Sequence, residues 1–173
     1  MKKLLFILII SIIYSACTNR TAGLHEIGKT DPVSLPYIPD YSSKFSIAND
    51  SNSLAVLNNY KAWETGDMDA FRNTLGDSIS FYFSNGEKFR GTRDSVMYYA
   101  SKFRDSLSKV EIKMDAWIPL HTEDKNQDWV SVWYTEIDTY KNGKVDSAYY
   151  QDDNMLDKNR RIVYTDSHKR VLK

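Results

Sequence analysis

Apolar positions recur at helical spacing in three stretches of the first two thirds of the chain and at strand spacing through most of the remainder. In the stretch from Leu54 to Thr65, Leu54, Leu57 and Lys61 fall on one stripe and Val56, Tyr60 and Trp63 on a second beside it, which predicts a helix burying a broad face. Ser51 to Ser53 offer N-cap hydroxyls at its start, and Gly66 stands where a left-handed residue ends a helix. Asp67 then caps a short helix carrying Met68, Phe71 and Leu75. Thr92 caps a third with Val96, Ala100, Phe103 and Leu107 on one face.

The spacing changes to strand-like from Ser78, where an aromatic segment runs to Phe83, and Asn85-Gly86 predicts a type I′ hairpin turn. Val110, Ile112, Met114, Ala116 and Ile118 alternate with polar neighbours, predicting one buried and one wet face. The segment from Asp128 to Tyr140 is apolar on both faces at its start, as a central strand should be. Asn142-Gly143 turns it into a strand ending at Leu156, and Asp157 to Asn159 turn that into another. Helix, helix, hairpin, helix, then an antiparallel meander indicate an α+β fold with three N-terminal helices packed on a curved antiparallel sheet. If Leu156 points into the core, period-2 alternation also turns Tyr150, Asp152 and Asn154 inward. Paired acids at a strand end are usually solvated, so the alternative reading places Asp152 and Asp153 near a rim in solvent.

The N-terminus speaks to location. Lys2 and Lys3, the apolar run Leu4 to Ile13 and then Ser15-Ala16-Cys17 form a secretory signal with small residues before a cysteine. The run is shorter than the about 20 residues a membrane-spanning helix needs. The pattern resembles a bacterial lipobox, which implies a signal peptide over 1–16, a lipidated Cys17 anchoring the chain in a membrane, and, because Thr18 follows, the outer membrane of the cell envelope. The alternative is an ordinary signal with an incidental cysteine. Cys17 is the only cysteine, so no intramolecular disulfide or cysteine-based metal site can form. Residues 17–50 contain Pro32, Pro36 and Pro39 and show no apolar period, predicting a tether, although Tyr37, Ile38, Tyr41 and Phe45 are more apolar than a linker needs. Basic and acidic residues balance at 23 each and are interspersed, which argues against a nucleic-acid partner.

Trp63, Gly66, Asp67, Leu75, Asp77 and Gly91, in this element order, make residues 51–173 resemble the nuclear transport factor 2-like (SnoaL-like) superfamily. The resemblance implies a cone-shaped fold with a cavity between sheet and long helix, used by different members for isomerisation, cyclisation, dehydration, ligand binding or protein association. In isomerase-like members a carboxylate base ends the strand after the second helix; ungapped counting puts Phe83 there, and phenylalanine accepts no proton. The oxyanion-donor position falls on Asn59, next to Tyr60, and the protonated-acid position on Asp152. The resulting pocket candidates are Asn59, Tyr60, Trp63, Phe83, Tyr150, Asp152 and Asn154, with Asp152 and Tyr60 as candidate catalytic groups.

His25, His121 and His168 lack metal-ligand spacing, and no phosphate-binding or nucleotide-binding glycine motif occurs, so no metal and no cofactor are expected. Trp63, Trp117, Trp129 and Trp133 are read as core, or as pocket wall. The expected protein is a non-catalytic, lipid-anchored envelope protein whose cone binds a small apolar ligand or a partner protein. The alternatives are a SnoaL-like enzyme using Asp152 with Tyr60 or Tyr150, and a dimerising structural module.

Overall fold

The computed structural model describes residues 35–172. The signal-like run Leu4 to Ile13, Cys17 and His25 lie outside them. Residues 35–38 carry no regular element, and Pro39 onward forms one compact unit. Part of the segment expected as tether therefore belongs to that unit: strand β1 (Phe45–Ile47) pairs with the far end of β4.

Helix α1 (Asp50–Thr65) starts at Asn49, whose side chain accepts from the Ser51 N–H at 2.8 Å, so the cap lies ahead of the serines expected to supply it. Gly66 ends it with φ of 76°, and Asp67 immediately caps α2 (Met68–Asn73) by accepting from the Ala70 N–H at 2.9 Å. Gly-Asp is thus a stop followed by a start. Helix α3 (Arg93–Arg104) is capped by Thr92 and ends beside the C-terminus of α1. There the Arg104 guanidinium donates to the Trp63 and Glu64 carbonyls at 2.9 and 3.2 Å, placing a cation on the negative end of α1.

The stripes expected on α1 are rearranged. Leu54 is 60% exposed, and the buried positions are Asn52, Ser53, Val56, Asn59, Tyr60 and Ala62. Four of these are polar or hydroxyl-bearing: Asn59 and Tyr60 line a cavity, Asn52 meets a fixed polar partner, and the Ser53 hydroxyl is enclosed without one. Asn52 accepts from Arg160 at 3.2 Å and Asn59 donates to Thr74 at 2.7 Å.

The strands are β2 (Leu75–Tyr82), β3 (Lys88–Thr92), β4 (Leu107–Thr122), β5 (Gln127–Tyr140), β6 (Val145–Leu156) and β7 (Ile162–Val171). With β1 they form a single sheet in the order β1-β4-β5-β6-β7-β2-β3 among the described residues. The expected all-antiparallel sheet is corrected in one place: β2 and β7 run parallel, so the sheet is mixed. Gly76 makes this pairing possible, since a Cβ there would come within 2.5 Å of the Val163 side chain.

The expected alternation along β4 also breaks. The register slips between Met114 and Ala116, leaving Asp115 as an extra residue. Beyond it Trp117, not Ile118, stands on the face of Val132, because one inserted residue swaps the two faces. The same slip helps a 16-residue strand bend around the helices.

The hairpin turns differ from type I′. Gly86 and Gly143 have φ of 86° while the asparagines before them do not have positive φ, and each glycine N–H returns to the carbonyl three residues back. These are type I turns followed by a left-handed residue. The β6–β7 turn repeats the pattern with Arg160 at φ of 58° in the glycine position.

The core lies between α1 and the concave face of the sheet, where Val56, Leu75, Val130, Val132, Leu156 and Ile162 are almost fully enclosed. No helix among the described residues is long and apolar enough to cross a membrane.

Candidate functional site

Between α1, α3 and the sheet lies a cavity of about 550 Å³. Its wall includes all seven residues singled out from the sequence: Asn59, Tyr60 and Trp63 from α1, Phe83 after β2, and Tyr150, Asp152 and Asn154 from β6. Strand alternation explains the last three, since Leu156 is buried and every second residue before it faces the same way.

Asp152 is 5% exposed, so the solvated-rim reading does not hold for it, whereas its neighbour Asp153 faces the outer side and accepts from Ser131 at 2.5 Å. Tyr60 and Tyr134 each donate to Asp152 Oδ2 at 2.8 Å. Asn154 donates to the Tyr60 oxygen at 3.3 Å, and Thr165 donates to Asn154 at 2.8 Å. The chain of donors runs toward one carboxylate oxygen; the other, Oδ1, is enclosed, with Ser167 nearby but no donor in hydrogen-bond geometry. Burial pushes the Asp152 carboxyl above its usual range, opposed by the hydroxyls of Ser167, Tyr60 and Tyr134. Burial, with the Asp152 charge second, also raises both tyrosines well above normal. They act as fixed donors and not as bases.

Glu136 was not anticipated. It lies two residues beyond Tyr134 on β5, lines the cavity, and accepts from the Trp63 indole N–H at 3.4 Å. Burial, reinforced by neighbouring Asp138, pushes its carboxyl up to about 8, so at neutral pH it is mostly protonated. Period-2 alternation through Val130, Val132, Tyr134 and Glu136 is the signal that points to it.

The other candidates occupy supporting positions. Asn59 is committed to Thr74. Trp63 stacks on Phe103 with centroids 6.1 Å apart and planes 8° from parallel. Phe83 stacks on Phe81 and is 46% exposed, at the mouth rather than at the base of the cavity. Of the other tryptophans, Trp129 belongs to a small cleft on the outer face with Tyr41 and Tyr164, and Trp117 is 49% exposed. His121 lies on β4, with Nδ1 2.8 Å from Asp128, and His168 on β7, neither in the cavity wall. No cluster of metal-ligating side chains occurs among the described residues.

No protein-family model and no curated protein sequence matches the chain. Solved structures do. An NTF2-like protein of unknown function from Exiguobacterium sp. 255-15 superposes with a TM-score of 0.54 at 16% identity, over 67% of this chain and 98% of that one. An LEH-like epoxide hydrolase from Mycobacterium tuberculosis gives 0.58 at 13% identity, over 69% and 82%. Rv0760c from the same organism, solved in complex with estradiol-17β-hemisuccinate, gives 0.55 at 6% identity, over 67% and 91%. The fold is the nuclear transport factor 2-like cone. At such identities the likeness carries the cone and not a reaction. Within this cone the wall chemistry is the chain's own: aromatic rings, two carboxyls and a tyrosine pair.

Proposed function

We propose that the cone holds a small, mostly apolar ligand whose polar end meets Asp152. The observation that carries this reading is a cavity of about 550 Å³ with aromatic walls and two acids, Asp152 and Glu136, in its lining. A volume of a few hundred Å³ with one or two convergent polar groups suits a drug-sized molecule. Phenylalanine at the position of the isomerase-like base argues against that proton transfer. We further propose that the protein is exported and anchored by lipid on Cys17, from the signal pattern at the N-terminus.

Native mass spectrometry of protein purified from its own host, beside an Asp152→Ala variant, tests the ligand reading. A small molecule retained by the wild type and lost from the variant supports it; a clean mass in both refutes it. For the anchor, Cys17→Ser should move the protein from the membrane fraction to the soluble fraction.

A second reading is an enzyme of cyclase or hydrolase type. It is favoured by the enclosure of Asp152 within 2.8 Å of two tyrosine hydroxyls and by a carboxyl at Glu136 poised near neutrality. The missing base at Phe83 keeps it second.

A further inference from the structure

We infer that the cavity's ligand carries a protonated amine on an apolar body, with the Glu136 and Asp152 carboxyls as the partners of the ammonium. This rests on the ligand-binding reading above and narrows it to a chemical class.

Asp152 is buried and lines the cavity, its Oδ2 held by Tyr60 and Tyr134, and Glu136 lines the cavity as well. A nearby cation favours the ionised form of each carboxyl, and a ligand carboxylate disfavours it.

No basic group offsets the two acids of the wall. Asp152 and Glu136 both line the cavity, and no Lys, Arg or His is among its described lining residues. An anionic ligand would meet two carboxyls and no counter-charge. A neutral alcohol offers a single donor, whereas an ammonium offers three and the charge besides. The walls add to this preference. Trp63, Phe81, Phe89, Phe103, Tyr134 and Tyr150 surround the carboxyls with rings. Ring faces attract ammonium groups, by about 2 kcal/mol when the cation is desolvated, and give nothing comparable to an alcohol or an acid.

The binding should move protons. Facing Glu136 are Asp138 on its own strand, Tyr60 and Trp63 from α1, and Tyr150 and Asp152 from β6, while Arg104 of α3 and Lys169 of β7 act on Asp138. Lys169 itself is exposed, with its ammonium 5.4 Å from the Tyr150 ring centre and outside the cavity wall. In the empty cone Glu136 holds its proton up to about pH 8. An entering cation favours the ionised form, so amine binding at pH 7 releases a proton and tightens as pH rises from 6 to 8.

The test is isothermal titration of the purified full chain with 4-phenylbutylamine, 4-phenylbutanol and 4-phenylbutyrate, at pH 7, in phosphate and in Tris. The expected result is that the amine binds at least about tenfold tighter than the alcohol, that the carboxylate binds weakest, and that only the amine shows buffer-dependent proton release. Asp152→Asn should erase the amine's advantage. Glu136→Gln, an isosteric change that keeps the cavity filled, should abolish the proton release, so the outcome does not depend on the folding of one variant. An alcohol that binds as tightly as the amine overturns the amine inference and leaves the apolar-ligand reading standing. Heat from none of the three overturns both.

Discussion

Glu136→Gln offers the clearest measurement of what the cone costs the fold. In the unfolded chain this carboxyl titrates near its ordinary 4.5, and in the folded chain at about 8. Between those values the folded protein keeps a proton that the unfolded chain has lost. Stability therefore falls as pH rises through that window and levels off above it. At about 1.4 kcal/mol per unit, the displacement sets a ceiling of about 5 kcal/mol on the loss, and relaxation of the wall brings the expected value to ~2–5 kcal/mol. Glutamine keeps the shape and cannot ionise. Urea unfolding of both proteins from pH 5 to pH 9 should give equal stabilities at the acid end and a more stable Gln variant at the alkaline end. Asp152 and Asp138, both also raised by burial, contribute declines of the same sign that are present in both proteins. Glu64, lowered by its hydrogen bond to Lys61, acts only below its ordinary range, outside the window. Parallel curves for the two proteins between pH 5 and 8 would refute the burial of Glu136 as an acid.

Further expectations follow from particular contacts. Tyr134→Phe removes one of two 2.8 Å bonds to Asp152 and should cost about 1.5–3 kcal/mol, which chemical denaturation at pH 7 checks. Gly76→Ala brings a methyl to 2.5 Å from Val163 and 3.3 Å from the Ile162 carbonyl, which should lower stability by about 1–3 kcal/mol and reduce the melting temperature accordingly. Arg104→Met keeps much of the side chain's bulk but leaves the Trp63 and Glu64 carbonyls without their cation, with an expected loss of about 1–2 kcal/mol in urea.

Element order and the cone were legible in the chain because caps, turn residues and period-2 strands act locally. Gly66 and Asp67 divide two helices wherever they occur in such a context, and the inward set on β6 follows from Leu156 alone. What stayed hidden depended on distant partners. The buried face of α1 could not be read from polarity, since Asn52 and Asn59 are enclosed by virtue of Arg160 and Thr74, far along the chain. Asp115 carries no mark of a bulge, so the faces of β4 were misread beyond it. The parallel pairing of β2 with β7 leaves no local trace either. Glu136 was missed for a different reason: its strand was read by its apolar start, and an acid farther along looks like an ordinary exposed position until the helix across from it is in place.

That single parallel pairing also governs when the protein can finish folding. Leu75 lies opposite Ile162, so the hairpin of β2 and β3 joins the sheet only after nearly the whole chain exists. Closing a loop of that length precedes any reward from the contact, and topologies rich in such pairings fold slowly. On a ribosome, the helices and the β4–β6 meander can form while the cone still lacks its floor, because Leu75 and Ile162, each almost fully enclosed in the native state, have not met. Until the last strand emerges, the hydrogen-bonding edges of β2 and β6 stand open to other chains. A truncation just before Ile162 would leave a species with most of its secondary structure, an unsealed cavity and two unguarded edges, suited to capture by a chaperone and poorly suited to holding a ligand.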